Sequence, residues 1–511
     1  MRFTLLTLAF LGWFDRLREV RPERPEKPVQ QQVVVPAPVP RPSYELRIDG
    51  DRMTLRADET PLKDILAGLV RAGVKVQFDP AIESRISGLA EDEPVDEVLE
   101  KILQPYGYVI TWSVIPGPLG NIERLDEVQV FRREGPRALE PFMPEENFRV
   151  TRGSSPDGPE FIADEILIAF KPGTSIDQFR VLLAQIGGSV IDSAPGLGIY
   201  RIRLPANTNI PALVAALENN GIVSRVEPNY AYRRKPEITV ASPPDAPSSQ
   251  GARLAQEGVP KVAVLDSGLL PLSALEGLVA GTYDAILPSR LIDDRKGHGT
   301  QMALIASGAV PPGGTEGDTT GVPVLAIRAF DDNGYTSNFT LMRAMDYAAE
   351  QGARVINLSW GSDVSSSFLN TAVQEAQDRG MVVVAAAGNE PTGAPVYPAA
   401  YSGVISVSAL RSDGEPWEQS NFGGSVDLAA PGTAMLPVGF EGTAGSYAGT
   451  SIATAYVSRN LALYLAAHPE STVAEAKRAL LAAVTPLSSG DARYGQGSLD
   501  AEALERLLKA P

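Results

Sequence analysis

Cysteine is absent from all 511 residues, which excludes disulfides, thiolate metal sites and cysteine nucleophiles together. Histidine is almost absent. Only His298 and His468 occur, so imidazole chemistry must pass through one of them, and a multi-histidine metal centre lacks the material. Basic residues are the minority, 45 Lys and Arg against 62 Asp and Glu, and the resulting charge of −17 argues against a nucleic-acid or anionic-membrane partner while favouring solubility. From Pro236 to the end there are 16 basic and 29 acidic residues, so −13 of that charge belongs to the last part of the chain. The apolar run near the start, residues 3–14 (FTLLTLAFLGWF), would extend about 18 Å as a helix, short of a bilayer core of about 30 Å. Its length and position suit the apolar region of a signal peptide, although no small-x-small cleavage site follows. Residues 1–19 are therefore expected to be a signal or anchor segment, and the protein to be exported, periplasmic or extracellular.

What is present points to several domains. The length suggests about three, and 44% hydrophobic residues supply large cores. Residues 20–43, rich in Pro and Gln, read as an extended linker. Residues 134–160 and 235–250 read as further linkers. Between them lie three blocks, at 44–133, 161–234 and 251–511.

The first block carries a 33-residue internal repeat, in which DETPLKDIL (58–66) recurs in pattern as EDEPVDEVL (91–99). In each copy a proline opens a helix with acidic residues before it. Leu62, Ile65, Leu66, Leu69 and Val70 keep one helix face, and Val95, Val98, Leu99, Ile102 and Leu103 repeat the spacing. Strands are expected at 52–57, 74–78, 85–89, 108–114 and 127–131, giving a small β-α-β-β-α-β-like α+β module. The second block reads as strand 165–171, helix 176–186, strands 189–192 and 198–204, helix 210–219 and strand 223–228, a split βαβ sandwich. The third block alternates continuous apolar runs (262–266, 323–330, 354–360, 381–388, 403–410, 426–432) with helical stretches at 340–352 and 367–380. Such runs belong to parallel strands covered on both faces, and ligands of such α/β sheets bind at the carboxyl ends of the strands.

Four polar groups stand where that rule puts a site. Asp266 ends the run VAVLD, His298 sits in Gly-His-Gly-Thr before a helical run, Asn389 closes MVVVAAAGN, and Ser451 opens the small-residue helix IATAYVSRNLALYLAA. A nucleophilic serine needs a base in reach, and the base needs an acid to fix its tautomer. A helix N-terminus under Ser451 adds oriented N–H groups for a developing oxyanion. Singly, each motif reads as a common turn or cap. Their coincidence at strand ends, in the order Asp, His, Ser, points to nucleophilic catalysis. His468 follows LALYLAA, where a basic group at a helix C-terminus is favourable, and reads as structural.

The third block resembles the subtilisin-like serine peptidases through VAVLDSG, GHGT, GTSIATAYV, AAAGNE and VINLSWG. That resemblance implies a mostly parallel α/β sheet with helices on both faces. It makes Asp266, His298 and Ser451 the triad, with Asn389 and the Ser451 N–H as the oxyanion hole. Substrate would lie along Ser359, Trp360 and Gly361, with Ala386, Ala387 and Gly388 walling the P1 pocket and Gly334 and Tyr335 on the far side. Small residues there suit an apolar or aromatic P1 side chain, which Trp360 would narrow. Gln301 stands where the family has a second histidine, and Ala455-Tyr456 where it has Pro-His. The resemblance implies no certain cofactor and leaves structural calcium open. The stretch before Asp266 is short for the family's N-terminal calcium site, however, and no dense Asp/Asn loop of calcium type is evident.

The second block, through ADEILIAFKPGTSIDQFRVLLAQIGGSVI and VSRVEPNYAYRRK, resembles the inhibitory propeptide of secreted subtilases. This implies a zymogen whose propeptide assists folding and inhibits, with cleavage in an exposed linker within residues 231–256. The first block resembles the short N-terminal domains of secretins and TonB-dependent receptors, implying an envelope protein partner for residues 44–133. The partners expected are thus polypeptide substrates, the chain's own propeptide and that envelope protein, with no nucleic acid. The rival reading is a catalytically silent scaffold of the same fold.

Overall fold

The computed structural model describes residues 44–509 except 50, 135–138, 143–146, 154–157, 235–237, 241–254, 256–257, 289, 316–319, 439–442 and 489. The signal or anchor segment and the first linker lie outside the described residues, as does most of the linker at 235–250.

The apolar runs of the C-terminal block become a seven-stranded parallel sheet. Its strands lie in the order Val279–Asp284, Val324–Arg328, Lys261–Asp266, Ala353–Leu358, Val382–Ala386, Ile405–Leu410, Leu428–Pro431. Successive side chains of a strand face opposite ways, so each run feeds two cores. Val262 and Val264 join one core with Val324, Val355 and Val382. Ala263 and Leu265 join the other with Leu325, Ile356 and Val383. The first core holds the helices His298–Ala306 and Thr450–Ala467, and the second holds Asn338–Glu350 and Ser367–Asp378. Every residue of the long helix from Thr450 to Leu465 is buried, which explains its small, weakly amphipathic sequence. Lys261–Asp266 comes first in this sheet, and later strands are laid down on either side of it. The order in which strands are added thus changes sense at that strand, and a crevice opens at its carboxyl end.

The middle block is an antiparallel sheet ordered Ser189–Ala194, Ile199–Arg203, Glu160–Phe170, Val223–Arg233, carrying the helices Ile176–Ile186 and Ile210–Glu218. The first helix is closed by a Ser175–Gln178 capping box and a left-handed Gly187. One face of the sheet packs on these helices through Ile166, Phe179, Tyr200 and Ile202. The other places Leu167, Ala169 and Ile199 in the second core of the C-terminal block. The last strand runs five residues past the expected 228, because its partner from residue 231 onward is a peptidase strand, Tyr335–Ser337.

The N-terminal block has its two helices, Leu62–Arg71 and Val95–Leu103, each begun by a proline, Pro61 and Pro94, at the N-cap. Its strands form two sheets rather than one: Tyr44–Asp49, Arg52–Pro61 and Arg85–Pro94 in the first, and Gly107–Gly117, Gly120–Phe131, Lys75–Phe78 and Glu140–Pro141 in the second. The hairpin Gly107–Gly117 and Gly120–Phe131 is longer than its apolar pattern suggests, since its tip lies against the middle block (Leu119 N–H donates to Tyr200 Oη, 3.1 Å). The stretch at 134–160 is not wholly irregular, because Val150–Arg152 pairs with Glu160–Phe170. No helix among the described residues is long and apolar enough to cross a membrane.

Candidate active site

Asp266 is the last residue of the central strand and is buried, its Oδ1 accepting the Ser267 N–H at 2.7 Å. The same oxygen is 2.7 Å from His298 Nδ1. Burial alone would push the Asp266 carboxyl up. The imidazole, its hydrogen bond and the more distant Arg234 guanidinium outweigh that, and hold it below the usual carboxylate range. Asp266 is thus ionised at neutral pH and fixes the Nδ1–H tautomer of the imidazole, leaving Nε2 as a base.

His298 opens the helix His298–Ala306, after Gly297 in a left-handed conformation at φ 78°. Gly297 has no side chain to cap the helix, and Asp294 does it instead. Its carboxylate accepts from Thr300 N–H (2.8 Å), Thr300 Oγ1 (2.7 Å), Gly297 N–H (2.8 Å) and Ser267 Oγ (2.8 Å). Gly299 explains the second flanking glycine: a Cβ there would lie 2.3 Å from Gly268 O, so only glycine lets this helix meet the loop after Asp266. Gln301, in place of the family's second histidine, donates to Val438 O at 2.9 Å.

Ser451 lies in the first turn of the helix Thr450–Ala467, at the end where helix N–H groups point out of the helix. Its hydroxyl donates to Ser359 O (3.1 Å), and Ser359 Oγ donates back to Ser451 O (3.1 Å). Asn357 supports Ser359, its Nδ2 donating at 2.8 Å, and accepts from Ser458 at 3.1 Å. Asn389 accepts through Oδ1 from Thr450 N–H (3.0 Å) and Oγ1 (2.8 Å), which leaves its Nδ2 as the outward donor. A Cβ on Gly449 would lie 3.4 Å from that Nδ2 and 3.8 Å from Ser451 N, so the glycine keeps open the space in front of both donors. Asn357 and Asp294 were not singled out from sequence. A polar residue inside an apolar strand and an acid four residues before the histidine were the available signals.

Ala386 ends its strand and Ala387 follows it, both buried. Val396 reaches to both Gly361 and Gly388, where added Cβ atoms would meet it at 2.3 and 3.3 Å. Val396 narrows this wall, and nothing in the sequence pattern announced it. Trp360 is buried, its ring 5.8 Å from Phe330 and 5.4 Å from Tyr232 of the middle block. Gly334 O accepts from Arg234 N–H at 2.9 Å, and Tyr335 pairs with Arg233 in an antiparallel ladder. His468 caps the far end of the long helix, beside Tyr464 at 4.5 Å between rings.

The tail of the middle block therefore lies as a strand on the rim of this crevice. Glu227 caps the helix Ser367–Asp378, accepting from Ser366 Oγ (2.6 Å) and Ser367 N–H (2.8 Å). Asn229 accepts from Phe339 N–H (3.2 Å) in the first turn of the neighbouring helix and donates to Glu165 (2.8 Å). Glu165 is fully buried, yet Arg201 and Arg203 overcome the cost of burial and hold it at about 2. The expected cleavage window needs its start moved. Ala231 and Tyr232 are buried in the strand, and Arg233 is paired, so no exposed linker begins at 231. Beyond it, Ile238–Val240 pairs with Gly445–Ala448, the strand that leads into Ser451. Among the described residues no group of three or more His, Asp or Glu side chains is placed to hold a metal ion.

Residues 258–498 match the model of the subtilase family, peptidase S8, and residues 150–229 match the fervidolysin N-terminal prodomain. A thermophilic serine proteinase of Bacillus sp. (strain AK1) is 30% identical over 334 residues, covering 61% of this chain and 80% of that protein. Thermitase of Thermoactinomyces vulgaris is 37% identical over 200 residues, covering 39% and 72%. The solved structure of fervidolysin from Fervidobacterium pennivorans aligns with a TM-score of 0.56 at 22% identity, covering 72% of this chain and 64% of that one, a likeness of fold.

Proposed function

The chain belongs to the subtilase family and is a subtilisin-like serine endopeptidase, and from that premise we propose that Asp266, His298 and Ser451 are its catalytic triad, with Asn389 and the Ser451 N–H as the oxyanion hole. His298 Nε2 takes the hydroxyl proton as Ser451 attacks the scissile carbonyl, and Asp266 stabilises the imidazolium. The tetrahedral oxyanion is held by Asn389 Nδ2 and Ser451 N–H, and His298 then protonates the leaving amine. The buried 2.7 Å bond between Asp266 and His298, at the start of a helix packed in one core with the helix that Ser451 opens, carries this reading.

Substrate would add as a strand between Gly334–Tyr335 and Ser359–Gly361, the place half occupied by residues 231–234 of the chain itself. The middle block is then an inhibitory and folding-assisting propeptide, and self-cleavage falls after Arg233 and within the remainder of 234–256. Export, to periplasm or exterior, follows from this reading. An envelope partner for residues 44–133, like that of secretin-type domains, is favoured by the outward Val109, Trp112 and Val114 of one strand.

A fluorophosphonate should label Ser451 in the wild type and leave Ser451→Ala unlabelled. Mass spectrometry of the two proteins should show self-cleavage only in the first. A wild type that stays full length and unlabelled would defeat the assignment.

A further inference from the structure

The propeptide block is held from two sides, and only one of them is the peptidase. The hairpin formed by Gly107–Gly117 and Gly120–Phe131 reaches out of the N-terminal block and lays its tip on the propeptide's helical face. Leu119 and Ile122 pack against the core made by Phe179, Tyr200 and Ile202. Leu119 N–H donates to Tyr200 Oη at 3.1 Å, and Ser193 Oγ donates to Pro116 O at 3.0 Å. Arg124 donates to the Ile191 carbonyl. Approach is so close at Gly117 that a Cβ there would lie 2.3 Å from Tyr200 Oη. The neighbouring Asp192 is ion-paired with Arg343 of the peptidase helix, so one propeptide strand is gripped by both blocks.

We propose that residues 44–133 act as an intramolecular stabiliser of the propeptide, so that the N-terminal block and propeptide form one inhibitory body. This function rests on the zymogen reading given above. A sandwich as small as residues 161–234 has only marginal stability of its own. An inhibitor that binds only when folded has its apparent affinity reduced by its folded fraction. The hairpin covers the propeptide's Tyr200 side and ties its strand Ser189–Ala194 through Arg124, which raises that fraction without touching the peptidase. The conspicuous outer face of the same hairpin, with Trp112, takes no part in it.

The test uses the full chain in a Ser451→Ala background, where no self-cleavage intervenes, and reads amide hydrogen exchange. Leu119→Asp and Ile122→Asp should speed exchange in Glu160–Phe170 and Ile199–Arg203 by tenfold or more, while Trp112→Asp on the same hairpin should not. Where an aspartate variant also loses protection in Leu62–Arg71, the N-terminal block itself has loosened, and Tyr200→Phe decides. It keeps both cores, removes only the acceptor of Leu119, and should speed propeptide exchange two- to fivefold. In the active chain the same variants should shorten the lag before peptidase activity in the same order, with unchanged final activity per labelled Ser451. Unchanged exchange and lag in Leu119→Asp, Ile122→Asp and Tyr200→Phe, or an equal effect of Trp112→Asp, would overturn the proposal. A wild type that is never labelled defeats the triad instead, and the exchange result still decides this point.

Discussion

Ser451 rests with its hydroxyl on the Ser359 carbonyl, and in the proposed triad its proton is redirected to His298 before attack. What awaits the developing charge is fixed already. Asn389 is turned by Thr450 so that its amide donor faces outward, and in the proposed oxyanion hole it would need no reorganisation. Asn389→Leu should lower kcat by roughly 10²–10³, the range known for losing this donor in subtilisin, with KM little changed. Steady-state kinetics on a peptide substrate reads it, and a drop confined to KM would place Asn389 elsewhere. Asp266 sets the second expectation. Its carboxyl is held below the ordinary carboxylate range, so it stays ionised while His298 titrates. The acid limb of kcat/KM should therefore follow a single imidazole-like group, activity falling as His298 becomes protonated. A flat rate from about pH 5 to 9 would remove His298 as base.

Two helices of the peptidase start at the propeptide tail. Ser366 and Ser337 are the N-cap residues of Ser367–Asp378 and Asn338–Glu350, and Glu227 and Asn229 reach the N–H groups that these caps leave. A carboxylate at a helix N-terminus is favoured by the exposed N–H groups and the aligned peptide dipoles. Glu227→Ala should cost about 1 kcal/mol of the tail's hold, a roughly fivefold faster release of the cleaved propeptide. The released peptidase should retain its activity, because Ser366 still caps the helix. A time course of activity after self-cleavage measures both. The strands of the large sheet were legible from sequence because burial on both faces demands unbroken apolar runs. The last propeptide strand was read five residues short, since Ala231–Arg233 find their partners in Tyr335–Ser337, a hundred residues away. Local pattern has no access to such a pairing. The same holds for Val396, which comes to lie against Gly361 and Gly388 only because the fold brings both glycines to it.

At the scale of the whole molecule, the middle block is braced by a buried acid, Glu165, paired with Arg201 and Arg203. Glu165 stands at about 2, down from 4.5, because Arg201 and Arg203 outweigh its burial. A depressed carboxylate contributes stability that is complete above its unfolded value and is lost as pH falls toward the folded one. The window is therefore about pH 4.5 down to 2, and the stake is on the order of 3 kcal/mol. Propeptide strands in the Ser451→Ala chain should lose exchange protection across that window, and Glu165→Gln should remove the pH dependence while weakening the propeptide at neutral pH. Protection factors of the propeptide strands that stay constant across that window in the unsubstituted Glu165 chain would contradict this. The charge of −17 and the lack of cysteine fit the same picture: solubility comes from the surface, and cohesion from cores and buried ion pairs.

The sequence by itself determined the parallel sheet, the proline-opened helices, the strand-end position of Asp266, and the restriction of any imidazole chemistry to His298 or His468. Each follows from local periodicity, from a residue's place at the end of an element, or from scarcity. Only the tertiary structure decided that Asp294 caps the His298 helix, that Tyr232 meets Trp360, and that a hairpin of residues 107–131 grips the propeptide. These are contacts between segments far apart in the chain or lacking any periodic signature. They exist only once separate cores have packed, and spacing along the sequence does not encode them.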